Sequence, residues 1–215
     1  MLLTKLGHAC VRLEKDDARL VIDPGIWAGP GVLDGAAAIL ITHEHVDHVD
    51  DAAVRAALTG EPELRLWASA AVASQFGEFG DRVHAVRDGD AFTAAGFDVH
   101  VYGAEHARLD SSIPIVPNTG FAVDGEVFHP GDSFTVPAGP VRTLLVPVSG
   151  PWLKFSDVAD YLRAVAPDRA YWIHDALLND KGANLWQNLL GRVPARSGPA
   201  SFLVPGTSVE LPGGS

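Results

Sequence analysis

Sulfur is nearly absent from this chain, whose 215 residues include one cysteine, Cys10, and one methionine. A lone thiol excludes an intrachain disulfide and any metal cluster built on several cysteines. Cys10 follows Leu6-Gly7-His8-Ala9 in a strand-like run, so it reads as a buried packing thiol rather than a nucleophile. Basic residues are also scarce, with 16 Lys and Arg against 27 Asp and Glu and a formal net charge of −11. That balance disfavours a nucleic-acid backbone as partner. No apolar run approaches the length of a membrane span and the N-terminus lacks a signal-like hydrophobic region, so no membrane partner and a cytoplasmic location are expected. Apolar residues, by contrast, make up 47% of the chain. They supply a substantial core, and the length suits one domain over residues 1–215.

Short β-rich runs punctuated by Gly, Pro and Asp predict strands at 2–6, 11–14, 19–22, 37–41, 64–68, 83–86, 97–102, 120–123, 127–129, 143–148 and 170–173. Asp124-Gly125 between two of these runs is a hairpin-turn signal. Helical patterns occur at 50–58, 69–76, 156–165 and 184–190, and Ser156 is the expected N-cap of the third. Strands and helices alternate in both halves, which favours layered α/β packing over a pure barrel. No repeat, low-complexity tract or linker divides the chain. The Pro/Gly-rich ending after Arg196 reads as loop with one short terminal strand.

The densest chemistry lies in Thr42-His43-Glu44-His45-Val46-Asp47-His48, directly after the apolar run 37–41. Imidazole and carboxylate are the ligand types that zinc and similar divalent ions take in sites that keep water. A strand ending at Ile41 releases a turn from which His43 and His45, on alternate positions, can converge on one ion. Asp47 and His48 are expected to start the next helix and point at a second position. Glu44 and Val46 then face away. Three further candidates follow predicted strands: His106 after 97–102, Asp132 in His129-Pro130-Gly131-Asp132-Ser133, and His174 after Tyr171-Trp172-Ile173. Any one of them alone is more often a structural residue. Their shared placement at strand C-termini changes the weighing, because α/β folds assemble sites along that edge.

With these motifs in view, the sequence resembles the metallo-β-lactamase fold superfamily. His43, His45, Asp47 and His48 match its first metal motif, and His106, Asp132 and His174 match the later ligands in order. Leu6-Gly7-His8-Ala9, Val21-Ile22-Asp23-Pro24 and Pro147-Val148-Ser149-Gly150 look like the branch containing ascorbate-6-phosphate lactonase and many metal-dependent hydrolases. The resemblance implies a four-layer αββα sandwich, two mixed β-sheets between outer helices. It also implies two divalent metal ions, zinc as the plain expectation with manganese or iron as alternatives. His43, His45 and His106 would hold the first ion, Asp47, His48 and His174 the second, and Asp132 would bridge them. Metallo-β-lactamases proper commonly carry a cysteine where this chain has Asp132, so antibiotic hydrolysis is not expected.

Two such ions, about 3.5–4 Å apart, lower the pKa of a bridging water and make hydroxide available near neutral pH. The implied reaction is hydrolysis of a carboxylic ester, lactone or phosphoester of a small, anionic substrate. Asp47 would be the catalytic residue, orienting the attacking hydroxide and taking its proton. An iron-dependent redox enzyme on the same fold and a non-catalytic metal-binding protein are the rival readings. Around the ligands, Asp23 is weighed equally as a partner of a ligand imidazole and as a turn initiator. His8 reads as a packed strand histidine before a proton donor, and His129 as structural or supporting. His84 and His100 read as ordinary strand histidines. Trp152, Lys154 and Phe155 read as a staple under a loop before a pocket wall. Asp175, Asn179 and Asp180 read as turn formers. The exposed aromatic loops leave a homo-oligomer open.

Overall fold

Branched and aromatic runs ended by Gly or Asp become strands throughout the computed structural model, which describes residues 1–194, 196 and 198–212. The first sheet contains β1 (Leu2–Gly7), β2 (Cys10–Lys15), β3 (Ala18–Ile22), β4 (Ala38–Ile41), β5 (Arg65–Ala68) and β6 (Val83–Ala85). The second contains β7 (Ala91–Ala94), β8 (Phe97–Tyr102), β9 (Gly120–Val123), β10 (Val127–His129), β11 (Thr143–Pro147) and β12 (Arg169–Ile173). The terminal strand β13 (Ser208–Glu210) returns to the first sheet and pairs antiparallel with β1. Their orders are β13-β1-β2-β3-β4-β5-β6 and β12-β11-β10-β9-β8-β7. Both sheets are mixed: β3 to β6 run parallel, as do β10 to β12, while hairpins build the remainder.

Side-chain alternation explains the layers. In β4, Ala38 and Leu40 enter a cluster between the sheets with Trp67, Phe97, Val99 and Phe121. Ile39 and Ile41 point the other way, against Val54 and Leu58 of helix α1 (Asp51–Gly60). A strand covered on both faces reads as an unbroken apolar run, as this one does. On the far side, Leu144 and Val146 pack against Val158, Tyr161 and Leu162, which belong to a later helix (Phe155–Val165). The result is the αββα sandwich expected. Among the described residues, no helix is long and apolar enough to cross a membrane.

Several boundaries differ from expectation for local reasons. The expected helix at 69–76 is a single turn, α2 (Ala70–Ala73), running into a kinked 3₁₀ segment, Ser74–Arg82, whose Gly80 has φ +60°. The helix on the second sheet, α3 (Phe155–Val165), begins one residue before the expected cap Ser156. Its start is fixed by Asp157, whose carboxylate accepts the Lys154 N–H at 2.8 Å. The last helix, α4 (Asp180–Leu190), starts four residues early because Asn179 caps it through the Gly182 N–H at 2.9 Å. Strand β7 was not predicted; its alanines give a weak strand signal, and pairing with β8 supplies the rest. Residues 197 and 213–215 of the expected terminal loop lie outside the described residues. One correction bears on the site. Helix α1 begins at Asp51 with Asp50 as its cap, so Asp47 and His48 lie in the preceding turn rather than starting the helix.

Candidate metal centre

The turn that leaves β4 is held from within and from outside. His45 C=O accepts the His48 and Val49 N–H groups at 2.9 and 3.0 Å, while Val46 C=O accepts from Ile26 and Pro24 C=O from Asp50. Gly25 lies under this turn so closely that a Cβ there would overlap the Asp47 carbonyl and the His48 nitrogen. A second close approach brings in Asp132. Gly131, at φ +61°, has no room for a Cβ beside Asn118 Oδ1 and the Thr42 side chain. Asn118 Oδ1 then accepts the Asp132 N–H at 3.0 Å, and Asp132 C=O accepts the Ala107 N–H beside His106 at 2.7 Å. His174 follows β12 at φ +56°, with its N–H donated to the His8 carbonyl at 3.2 Å. Next to it, the buried Lys5 ammonium donates to the Asp175 carboxylate at 3.0 Å and to Trp172 C=O at 2.9 Å.

All seven predicted residues meet at this edge. His43, His45, His106 and Asp132 form one group, and His8, Asp47, His48 and His174 another; in each, one donor atom per residue lies within 4.8 Å of the others. Asp132 stands between them. Its Oδ2 is 3.8 Å from His43 Nε2, 3.3 Å from His106 Nε2 and 3.0 Å from His174 Nε2, while Oδ1 is 3.1 Å from His48 Nε2. Asp47 Oδ2 lies 3.4 Å from His174 Nε2 and 3.9 Å from His48 Nε2.

Hydrogen bonds set which imidazole nitrogens are free. Thr42 donates its hydroxyl to Asp23 Oδ2 at 2.7 Å, so at 3.0 Å it accepts from His43 Nδ1–H. His48 donates Nδ1–H to Asp23 Oδ2 at 2.7 Å, and His106 donates Nδ1–H to Ala107 C=O at 2.6 Å. Each of the three therefore turns Nε2 toward Asp132, as the nitrogen left for an ion once any second proton is gone. Among the described residues, His48 Nε2, His106 Nε2 and Asp132 Oδ1 are buried with no aligned hydrogen-bond partner. Buried lone pairs aimed at one point are costly unless a cation or proton sits among them. The donor set, nitrogen and oxygen without sulfur, fits divalent zinc, manganese or iron.

Charge is balanced inside the centre. Burial opposes the charged form of His48, but the Asp132 and Asp23 carboxylates outweigh it and hold the pKa well above the usual imidazole value. Burial likewise opposes the His174 cation, and hydrogen bonds to Asp132 and Asp47 overcome it, raising the pKa to about 9. His43 goes the other way, well below its usual value, because burial and the neighbouring His48 both disfavour charge. The Asp132 carboxyl is buried, yet His48, His106 and His174 hold it well below the carboxylate range.

Other expectations sort themselves around this centre. Asp23 is the partner of His48, and it also accepts the Thr42 N–H at 2.8 Å; its φ of +53° makes it a turn residue too. His8 is not a strand histidine but a buried turn residue at φ +49°, facing Asp47. His129 is structural: Nε2–H donates to Ala9 C=O at 2.8 Å and Nδ1 accepts the Gly131 N–H at 3.1 Å. His84 stacks on Trp67, His100 is exposed, and Glu44 and Val46 face solvent. Cys10 is a buried thiol whose pKa burial pushes up. Of the loop before α3, Trp152 alone reaches the centre, its ring 5.6 Å from those of both His106 and His174. Phe155 packs on Trp186 instead, and Lys154 is exposed. Sequence reasoning passed over Thr42 and Asn118, whose only signal was a polar residue beside a ligand or a predicted strand. Beside His45 and His106 opens a cavity of about 130 Å³ lined also by Arg108, Leu109, Ile113 and Ile115.

Known proteins resemble this chain in sequence and in fold. A family model described as the β-lactamase superfamily domain matches residues 2–174. Protein Rv0786c of Mycobacterium tuberculosis is 39% identical over 184 residues, covering 83% of this chain and 85% of that protein. A UPF0173 metal-dependent hydrolase of Rhizobium etli is 34% identical over 145 residues, covering 63% of this chain and 61% of its own. In structure, the metallo hydrolase Igni18 of Ignicoccus hospitalis superposes with a TM-score of 0.72 over 97% of both chains. At 19% identity, that likeness speaks for the fold.

Proposed function

The chain belongs to the β-lactamase superfamily domain family, and from that premise we propose that it is a metal-dependent hydrolase of the metallo-β-lactamase fold. Its two donor groups hold two divalent ions, zinc in the plainest case, and it cleaves an ester, lactone or phosphoester of a small molecule. One observation carries this reading: His43, His48 and His106 all commit Nδ1–H to fixed acceptors and turn Nε2 toward one shared carboxylate, Asp132.

Bound there, divalent ions supply an acidified water and polarisation of a carbonyl or phosphoryl oxygen. The protein does the rest. His43, His45 and His106 hold one position as neutral imidazoles, Asp47, His48 and His174 hold the other, and Asp132 serves both. Asp47 is the member of the second group with a partly exposed carboxylate, 17% accessible against 3% or less for His48 and His174. It is therefore placed to orient an incoming water as a hydrogen-bond acceptor; burial opposes its charge, but His174 and His8 hold the carboxyl well below the usual carboxylate range. The buried Trp152 ring covers His106 and His174 from one side and keeps bulk water off them. The cavity beside His45 and His106 pairs apolar walls with the Arg108 guanidinium. Such a lining suits a compact substrate with a short apolar arm and an anionic end.

Elemental analysis of protein purified without added metal, followed by a panel of ester, lactone and phosphodiester reporters, tests the reading. The expected result is two equivalents of a divalent metal and hydrolysis of one reporter class that chelation removes and metal restores. Hydrolysis unaffected by complete metal removal contradicts it, and a redox-active iron content without hydrolysis favours the oxidoreductase alternative.

A further inference from the structure

By distance alone, His8 belongs to the second donor group. Its hydrogen bonds point elsewhere. We propose that His8 is a positioning residue that carries its proton on Nε2, donates it to Asp47, and does not ligate an ion. This rests on the reading above that Asp47 and His174 hold one.

The geometry around the ring is the reverse of that around the three ligand-type imidazoles. His8 Nδ1 accepts the Ala176 N–H at 3.3 Å, so that nitrogen bears no proton. A neutral imidazole must then be protonated at Nε2, and an imidazolium is excluded because its Nδ1 could not accept. Nε2 lies 3.1 Å from Asp47 Oδ2, within donating distance. In His43, His48 and His106 Nδ1 carries a proton, and its acceptor is a hydroxyl, a carboxylate or a carbonyl. One acceptor-type contact at Nδ1 thus separates a donor to a ligand from a ligand.

The backbone says the same. Register between β1 and β2 shifts at Lys5–Gly7, and His8 follows at φ +49°, a conformation that a non-glycine residue keeps only where its surroundings enforce it. The enforcing contacts run to the centre and to Trp27. His8 C=O accepts the His174 N–H at 3.2 Å, its ring lies 4.1 Å from that of His174, and the Trp27 ring meets it edge-on at 4.7 Å. The His8 side chain is wholly buried, so it cannot touch substrate or exchange protons with solvent directly. It joins three segments far apart in sequence, the β1–β2 turn, the turn of Asp47 and the loop of His174, and fixes which way the Asp47 carboxylate faces.

Long-range ¹H–¹⁵N correlation of the imidazoles, on the full chain with and without zinc, reads this directly. The expected result is the Nε2–H tautomer for His8 in both states, with His43, His48 and His106 as Nδ1–H in the zinc-loaded protein and their Nε2 signals moving on zinc addition. A His8 that becomes Nδ1–H in the zinc-loaded protein is a ligand, and the proposal is overturned. Zinc titration of His8→Ala and His8→Gln supplies a second readout. Both variants are expected to take up two equivalents at saturation. The weaker equivalent should lose about 10–100-fold in affinity in His8→Ala. His8→Gln should recover most of that loss, because its amide can donate to Asp47 and accept from Ala176. Loss of one equivalent in both variants overturns the positioning role. No zinc uptake by the wild type defeats the proposed function instead, while Nδ1–H in the zinc-free protein defeats the role of His8 on its own.

Discussion

Both groups draw on three separated segments, 43–45, His106 and Asp132 in the one and His8, 47–48 and His174 in the other, yet their backbones are built differently. His8, Asp23 and His174, at φ +49°, +53° and +56°, all serve the second group, while His43, His45, His106 and Asp132 are free of positive φ. Left-handed non-glycine residues each cost on the order of 1–3 kcal/mol and persist only where tertiary contacts fix them. Long-range packing shapes both halves, through Gly131 and Asn118 in the first and through Gly25, Lys5–Asp175 and Asp23 in the second, but the second alone also depends on left-handed non-glycine backbone. The second half should be the more easily broken from a distance.

Asp132 is common to both halves, so its variant should erase the difference. Asp132→Asn is expected to lower hydrolysis by about 10²–10³-fold, the scale of losing one well-placed electrostatic group. Circular dichroism should show an unchanged fold, and near wild-type turnover would mean that the carboxylate does not join the groups. Gly25→Ala should separate the halves, because the added methyl displaces the turn at Asp47 and His48. One metal equivalent should be retained and the other lost, with stability lower by about 1–3 kcal/mol in denaturant melts, the usual range for overpacking. Two equivalents bound with wild-type affinity would show that the turn tolerates the shift.

Smaller perturbations sharpen the contrast. Asp23→Asn keeps the left-handed backbone accessible but presents an amide where His48 Nδ1–H and the Thr42 hydroxyl need an acceptor. The affinity of one metal equivalent should fall about 10–100-fold in calorimetric titration, the usual effect of losing a ligand's hydrogen-bond partner. Equal weakening of both equivalents would contradict the division. The smallest effect is one of protons. In the metal-free protein the His174 pKa is raised to about 9, by Asp132 and Asp47 acting against burial, and that of His48 is also raised, so near pH 7 both carry a proton. His43 is shifted downward and stays a neutral imidazole with nothing to release. Ion uptake at the second group must then expel protons, and its affinity should climb as pH rises toward 9, while the first group shows little dependence above neutrality. Titrations in two buffers of different ionisation enthalpy measure this, and equal proton release at both steps would refute it.

The same asymmetry decides what could be read from the sequence. His43 and His45 announced themselves because an apolar strand and a two-residue spacing place both on one side of a turn. Such information is local. His106, Asp132 and His174 were legible as strand-end residues, and together with the strand pattern they carried the resemblance to a four-layer sandwich. His8 was misjudged, because nothing in Gly7-His8-Ala9 reveals a register shift and a left-handed turn that tertiary contacts enforce. The helical pattern at 50–58 met the start of α1 within a residue, but Asp47 and His48 do not begin it, because the Gly25 contact and the Asp50 N–H to Pro24 bond hold them in the turn before it. Trp152 could not be distinguished from a loop staple until the second sheet brought it against His106 and His174. Trp152 and Arg108 both sit on loops, where one sequence constrains conformation least.

Anomalous diffraction from crystals of the metal-loaded protein, collected at the absorption edge of the bound element, examines the central claim most directly. Two peaks are predicted, both within about 2.0–2.2 Å of a donor atom. One should be bounded by His43, His45 and His106, the other by Asp47, His48 and His174, with Asp132 touching both and His8 Nε2 facing Asp47. A map without anomalous signal among these side chains, or with its only peaks elsewhere, would contradict the account.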